Sequence, residues 1–147
     1  MDADLLFTIA NRAVLPAWIL LAVAPRWIWT RRLIFSALIP ALLAAAYIYA
    51  LVLAEAPEGA NFGSLDGVML FFTVPFAVTA GWIHYLVFDL FVGAWEVRDA
   101  ERRGISHWFV IPCLFFTLML GPVGLLMYLI LRYALRKTLT LEEQPAT

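Results

Sequence analysis

Charge is scarce in this chain. Charged residues fill 14% of its 147 positions and hydrophobic residues 64%. A soluble domain carries about 25% charged and about 45–50% apolar residues. With a mean hydropathy of +0.88, the composition suits lipid better than water. Cysteine is nearly absent too. Cys113 stands alone, which rules out an intramolecular disulfide, and in its apolar run it reads as a small buried residue. The net charge is only −1. No basic patch with interleaved aromatics lies outside the apolar segments, which argues against nucleic acid as a partner. Internal repeats and low-complexity tracts are lacking. So is sustained period-two alternation, and strands are not expected.

What is present is a set of long apolar segments. About 20 apolar residues in a helix cross the hydrocarbon core. Four stretches qualify: 5–24, 33–53, 68–97 and 108–135. The length allows one domain. The expected fold is therefore all-α, a single four-helix integral membrane bundle over 1–147, with a polar tail at 136–147. Ala22-Val23-Ala24 resembles a signal-peptide cleavage site. The acidic start at Asp2 and Asp4, with Arg12 and Pro16 in the apolar run, argues instead for a retained helix.

The connecting loops differ in charge. Pro25 to Arg32 carries Arg26, Arg31 and Arg32, whereas 54–67 carries Glu55, Glu58 and Asp66 and no cation. With four crossings, six cations fall on the side of the first and third loops. Four fall on the other side or within the first helix. That balance places both termini outside and both short loops in the cytoplasm. Each expected span holds a proline, Pro16, Pro40, Pro75 or Pro122, which reads first as a tolerated kink. Gly121-Pro122-Val123-Gly124 goes further, because two glycines beside a proline allow both a kink and a close approach.

Chemistry-capable residues gather on the third segment. On a helix at 100° per residue, His84, Trp95, Phe88, Asp99, Tyr85, Glu96, Asp89 and Trp82 fall within an arc of about 160°. Ile83, Leu86, Val87, Leu90, Phe91, Ala94 and Val97 form the opposite arc, which is suited to lipid. An ionisable side chain at the bilayer centre costs a few kcal/mol, roughly 2.5–3.5 on insertion scales, so the polar arc is expected to turn inward. Starting the helix at Val68 puts His84 about 24 Å and Asp89 about 31 Å along it. Glu96, Asp99 and His107 then sit at or beyond the far boundary, on the side of the arginine-bearing loops.

Three readings of this arc stay open. It is a satisfied structural network, or an acid–base site of imidazole and half-buried carboxylates. The third is a metal site of His84, Asp89, Asp99 and His107, with or without Glu96. The spacing matches no strong metal motif, and no other pattern calls for a cofactor. The aromatics Trp82, Tyr85, Phe88 and Trp95, with Glu96, are the candidates to line a slot for a long conjugated ligand.

Trp82-Ile83-His84-x4-Asp89-Leu90-Phe91 resembles the signature of the abscisic-acid-deficient-four family, the neoxanthin synthase proteins of the plastid. Further matches are Ala13-Val14-Leu15-Pro16 with Ala24-Pro25, then Asp99 and His107, then Gly121-Pro122-Val123-Gly124. The resemblance spans nearly the whole chain. It implies a four-helix membrane protein tied to conversion of violaxanthin to neoxanthin, an epoxide opening that forms an allene without change of formula. In that light His84 and Asp89 are the expected acid and base, with Asp99 and His107 orienting them. No plastid transit peptide is visible, which suggests a bacterial relative in an inner membrane.

The expected function is an isomerase-like or accessory step on a carotenoid or similar apolar lipid. The alternative is a non-enzymatic carotenoid-binding or scaffold protein. A transporter fits less well, since four short helices make a thin conduit unless they form a homo-oligomer.

Overall fold

The computed structural model describes residues 1–36 and 38–141. The second half of the expected polar tail, 142–147, lies outside the described residues. Among the described residues there are seven helices and no strand: α1 (Ala3–Val23), α2 (Ile28–Leu33), α3 (Leu38–Leu53), α4 (Leu65–Phe71), α5 (Pro75–Arg102), α6 (His107–Leu120) and α7 (Pro122–Arg136).

Local signals set the boundaries. The Asp2 carboxylate caps α1 by accepting from the Leu5 amide at 2.8 Å, and Ser64 caps α4 by accepting from the Gly67 amide at 3.1 Å. Both satisfy first-turn amides that have no intrahelical partner. Pro75 and Pro122 stand at helix starts. There a missing amide costs nothing and the fixed φ suits the first turn. They are helix beginnings rather than the mid-span kinks expected of them. The expected 68–97 helix is therefore broken, with α4 ending at Phe71 and α5 beginning at Pro75. Measured from Pro75, His84 lies about 14 Å and Asp89 about 21 Å along α5. Asp89 is thus near the middle of that 28-residue helix, not at its far boundary.

α5 is the central helix, packed against α1, α3, α6 and α7. α1 runs parallel to it. Ala3 lies beside Thr79, Asn11 bonds Trp82 at 3.2 Å, and the Trp18 ring fills the place a Gly93 side chain would take. α3 runs antiparallel, with Tyr47 near His84 and Pro40 near Leu90 and Arg98. Because α5 is covered on several sides, Ile83, Leu86, Leu90, Ala94 and Val97 are core residues. The sequence placed them against lipid. The outward faces carry other apolar side chains, among them Ile19, Leu42, Val52, Phe91 and Ile130.

The largest departure is at 108–135. This stretch is not one helix. α6 descends from the end of α5, turns at Gly121, and α7 climbs back. His107 at the start of α6 donates through Nε2 to the Ala22 carbonyl at 2.9 Å, and Arg136 at the end of α7 bonds the Gly104 carbonyl. Both ends of the hairpin therefore lie at one end of the bundle. At the tip Tyr85 donates to the Leu118 carbonyl at 2.9 Å. Fourteen residues in α6 give a depth of about 21 Å, which matches the distance along α5 from Arg102 back to Asp89. Ala3, beside Thr79 near the start of α5, and Arg136, beside Gly104 just past its end, lie at opposite ends of that helix.

Glycine makes the hairpin tight. A Cβ on Gly124 would run into the Thr117 amide nitrogen, which is backbone and cannot swing aside. Gly124→Ala is expected to destabilise the fold by about 1–3 kcal/mol through overpacking, read as a lowered midpoint in thermal unfolding of the purified chain. An unchanged midpoint would mean the two helices separate at no cost.

Candidate functional site

The hairpin tip meets α5 at Asp89. Gly121 has φ +42, a left-handed conformation that glycine adopts without strain. A Cβ there would stand 2.7 Å from Asp89 Oδ1. The turn can thus close over the carboxyl group only because residue 121 has no side chain. Asp89 is 8% exposed, and its Oδ2 has no hydrogen-bond partner. The Tyr85 hydroxyl is its polar neighbour.

One step toward the charged end lies Glu96, fully buried. Its carboxyl group accepts from the Thr117 hydroxyl, with oxygens at 3.0 and 3.2 Å. Among the described residues no ion pair reaches Asp89 or Glu96. These two acids share the interior with no cation beside them, and as charges they would be costly there.

Asp99 is different. It accepts from the Tyr128 hydroxyl at 2.6 Å and from Arg132 at 3.2 Å, and from Arg103 at 2.9 Å, one turn on along the chain. Arg132 is completely buried. Its guanidinium lies 5.7 Å from the centre of the Trp95 ring and donates to the Thr140 carbonyl at 3.0 Å. Two guanidinium groups around one carboxylate give a clamp that ties α7 to α5.

The expected site residues divide accordingly. Asp89, Glu96 and Asp99 do turn inward, against α6 and α7. His84 does not. It is exposed on the outer face, its ring 4.6 Å from that of Phe88 and 6.1 Å from that of Tyr47. His84 and Asp89 therefore do not meet, since their side chains leave α5 about 140° apart. His107 holds the α6 start to α1 and does not contact Asp99. Trp82 packs at a tilt against Phe7 and Tyr85, Phe88 faces outward, and Trp95 packs edge-on against Tyr128 at 5.5 Å. The expected slot is split among three places. The four residues of the metal reading are not brought together, and among the described residues no group of three or more His, Cys, Asp and Glu side chains converges.

Sequence reasoning missed Arg132, Tyr128 and Thr117. A signal for two of them was there: Gly124, Tyr128, Arg132 and Arg136 recur every four residues. They make one polar, small-sided stripe on α7.

A separate cleft of about 760 Å³ opens where α1 ends and α6 begins, lined by Arg26, Trp27, Glu101, Ser106, His107 and Trp108 among others.

The family model described as ABA DEFICIENT 4-like matches residues 5–128. A curated relative, Protein ABA DEFICIENT 4, chloroplastic, from Arabidopsis thaliana, is 28% identical over 137 residues. The match covers 87% of this chain and 60% of that protein, so the chain spans well under the relative's full length. No solved structure matches.

Proposed function

The chain belongs to the ABA DEFICIENT 4-like family, and from that premise we propose that it is a membrane-embedded isomerase of a carotenoid or similar long apolar lipid. Asp89 is its proton-exchanging group. The observation that carries this reading is the buried Asp89 carboxyl, with one oxygen unpartnered, under a turn made of glycine. A structural carboxyl group is normally fully bonded when buried.

In the membrane, α1, α3 and α5 cross and the α6–α7 hairpin re-enters from the charged end. Two of these helices, Ala3–Val23 and Pro75–Arg102, have the length and apolarity of spans. The exposed apolar side chains on the outer faces favour lipid around the bundle. A hairpin that stops at mid-depth is tolerated where its turn is buried in protein. Folding α7 back also changes the charge balance. Arg26, Arg31, Arg32, Arg98, Arg102, Arg103, Arg132, Arg136 and Lys137 all come to one end, leaving only Arg12 elsewhere among the ten cations. A margin of nine to one favours the reading in which that end faces the cytoplasm of a bacterial inner membrane and the N-terminus lies outside. A fluorescent protein fused after the last residue is expected to mature and fluoresce. Alkaline phosphatase fused there is expected to be inactive, yet active when inserted in the 54–67 loop. An active C-terminal phosphatase would mean that the hairpin crosses after all.

The chemistry needs one group that gives and takes a proton. The acid form of Asp89 protonates the epoxide oxygen as a ring carbon–oxygen bond breaks. The resulting carboxylate then removes a proton from the adjacent polyene carbon, and the formula is unchanged. Tyr85 holds the neighbouring polar position. His84, Tyr47 and Phe88 offer an aromatic surface on the lipid side, suited to a flat conjugated chain. A specific observation favours the binding-only alternative as well: Glu96 and Asp99 are buried and bonded as structural groups are.

Expression in a pigment-producing host separates the two. Purified protein is expected to hold a coloured ligand and to convert it with time to an isomer of equal mass. A ligand held in stoichiometric amount without conversion makes the protein a binder. No pigment held or converted in any such host refutes both.

A further inference from the structure

We propose that the cleft between the end of α1, the end of α5 and the start of α6 is a binding site for an anionic phospholipid. It lies about 16 Å along α5 from Asp89, counted from Ala100, and is separate from the hairpin site. Its volume of about 760 Å³ falls in the range of small-molecule sites, about 300–1,000 Å³.

The lining has two characters. Val23, Val97 and Ile111 form apolar walls, and Arg26, Glu101, Ser106 and His107 are the polar groups. Two indole rings stand at its edges, Trp27 at 50% and Trp108 at 81% exposure. Indoles gather at the depth of lipid headgroups. A ligand with an apolar body and a polar end fits such a lining.

The sign of the polar end follows from charge. The one carboxylate in the cleft, Glu101, is already shared between Arg26 at 3.8 Å and Arg31 at 3.2 Å. That leaves two guanidinium groups against one carboxylate, and the Arg26 side chain is 83% exposed. The surplus is positive and open to the surface. Ser106 makes no side-chain cap on α6, so the first amides of that helix add donors at the same place. The cleft belongs to the end holding nine of the ten cations. Basic clusters at the cytoplasmic face attract anionic headgroups. A neutral hydroxylated end group would leave that surplus unanswered.

The test uses the purified full chain in nanodiscs and in detergent, with native mass spectrometry and thermal unfolding as readouts. Phosphatidylglycerol is expected to stay bound one per chain and to raise the unfolding midpoint. Phosphatidylcholine, glycerol phosphate and inorganic phosphate are expected to do neither, because the site needs both charge and acyl chains. The double variant Arg26→Gln/Arg31→Gln is expected to lose at least tenfold in phosphatidylglycerol occupancy. Trp108→Ala, which keeps the charges, is expected to lose less. Equal retention of phosphatidylcholine, stabilisation by a neutral hydroxylated polyene alone, or unchanged occupancy in the double variant would each overturn the proposal. Pigment conversion is read in a separate assay, so failure of the lipid site and failure of the isomerase reading are told apart.

Discussion

Arg132→Ala is expected to cost about 3–5 kcal/mol of stability, because it breaks a buried ion pair by removing one partner. The side chain is wholly buried and spans two elements: it bonds Asp99 on α5 and the Thr140 carbonyl beyond α7. Alanine would leave a hole beside Trp95, and Asp99 would keep only Tyr128 and Arg103. Asp99→Ala is expected to be worse, since it strands a guanidinium whose Nε already lacks a partner. Asp99→Asn with Arg132→Met is expected to recover much of the loss, because removing both charges also removes their desolvation penalty. Thermal unfolding of the purified chain in one detergent compares all four proteins. A loss below about 1 kcal/mol for Arg132→Ala would class the pair with weak surface bridges and undo the clamp. The reporter fusions add a structural readout. If the clamp holds the hairpin back, its loss shifts the C-terminal phosphatase toward activity.

The second large effect concerns Asp89. Asp89→Asn keeps the shape and removes the exchangeable acid, so turnover is expected to fall by about 100- to 10,000-fold, the usual range for a general acid–base group. Pigment binding and the unfolding midpoint are expected to change little, because the Oδ2 atom has no hydrogen bond to lose. Tyr85→Phe should fall between wild type and Asp89→Asn. His84→Ala is expected to weaken binding more than turnover, since His84 lies on the outer aromatic surface. Equal losses of turnover for His84→Ala and Asp89→Asn would restore the two as partners. Full activity of Asp89→Asn would remove the acid–base reading and leave a binder.

The helical class and the inward turn of the carboxylates were legible without coordinates. Asp89, Glu96 and Asp99 share an arc with no lipid-compatible form as charges, and the fold buries all three. His84 lies on the same arc by angle and yet faces out. A helix wheel gives the direction of a side chain but not which neighbours stand there, and at that angle His84 meets the rings of Tyr47 and Phe88 and stays exposed. The apolar arc failed for the related reason. Lipid and protein are equally apolar solvents for Leu86 or Leu90, so hydrophobicity could not say which would cover them.

By itself the sequence determined that this chain is helical and apolar, and that acids on one helix must be sheltered. Those outcomes follow from local backbone chemistry and from the cost of moving charge out of water. Only the tertiary structure decided that residues 108–135 fold back as a hairpin instead of running on as one helix. Both arrangements use the same apolar side chains, so hydrophobicity alone does not choose between them. The choice rests on pairings distant in sequence: Gly121 over Asp89, Gly124 against Thr117, and Arg132 on Asp99.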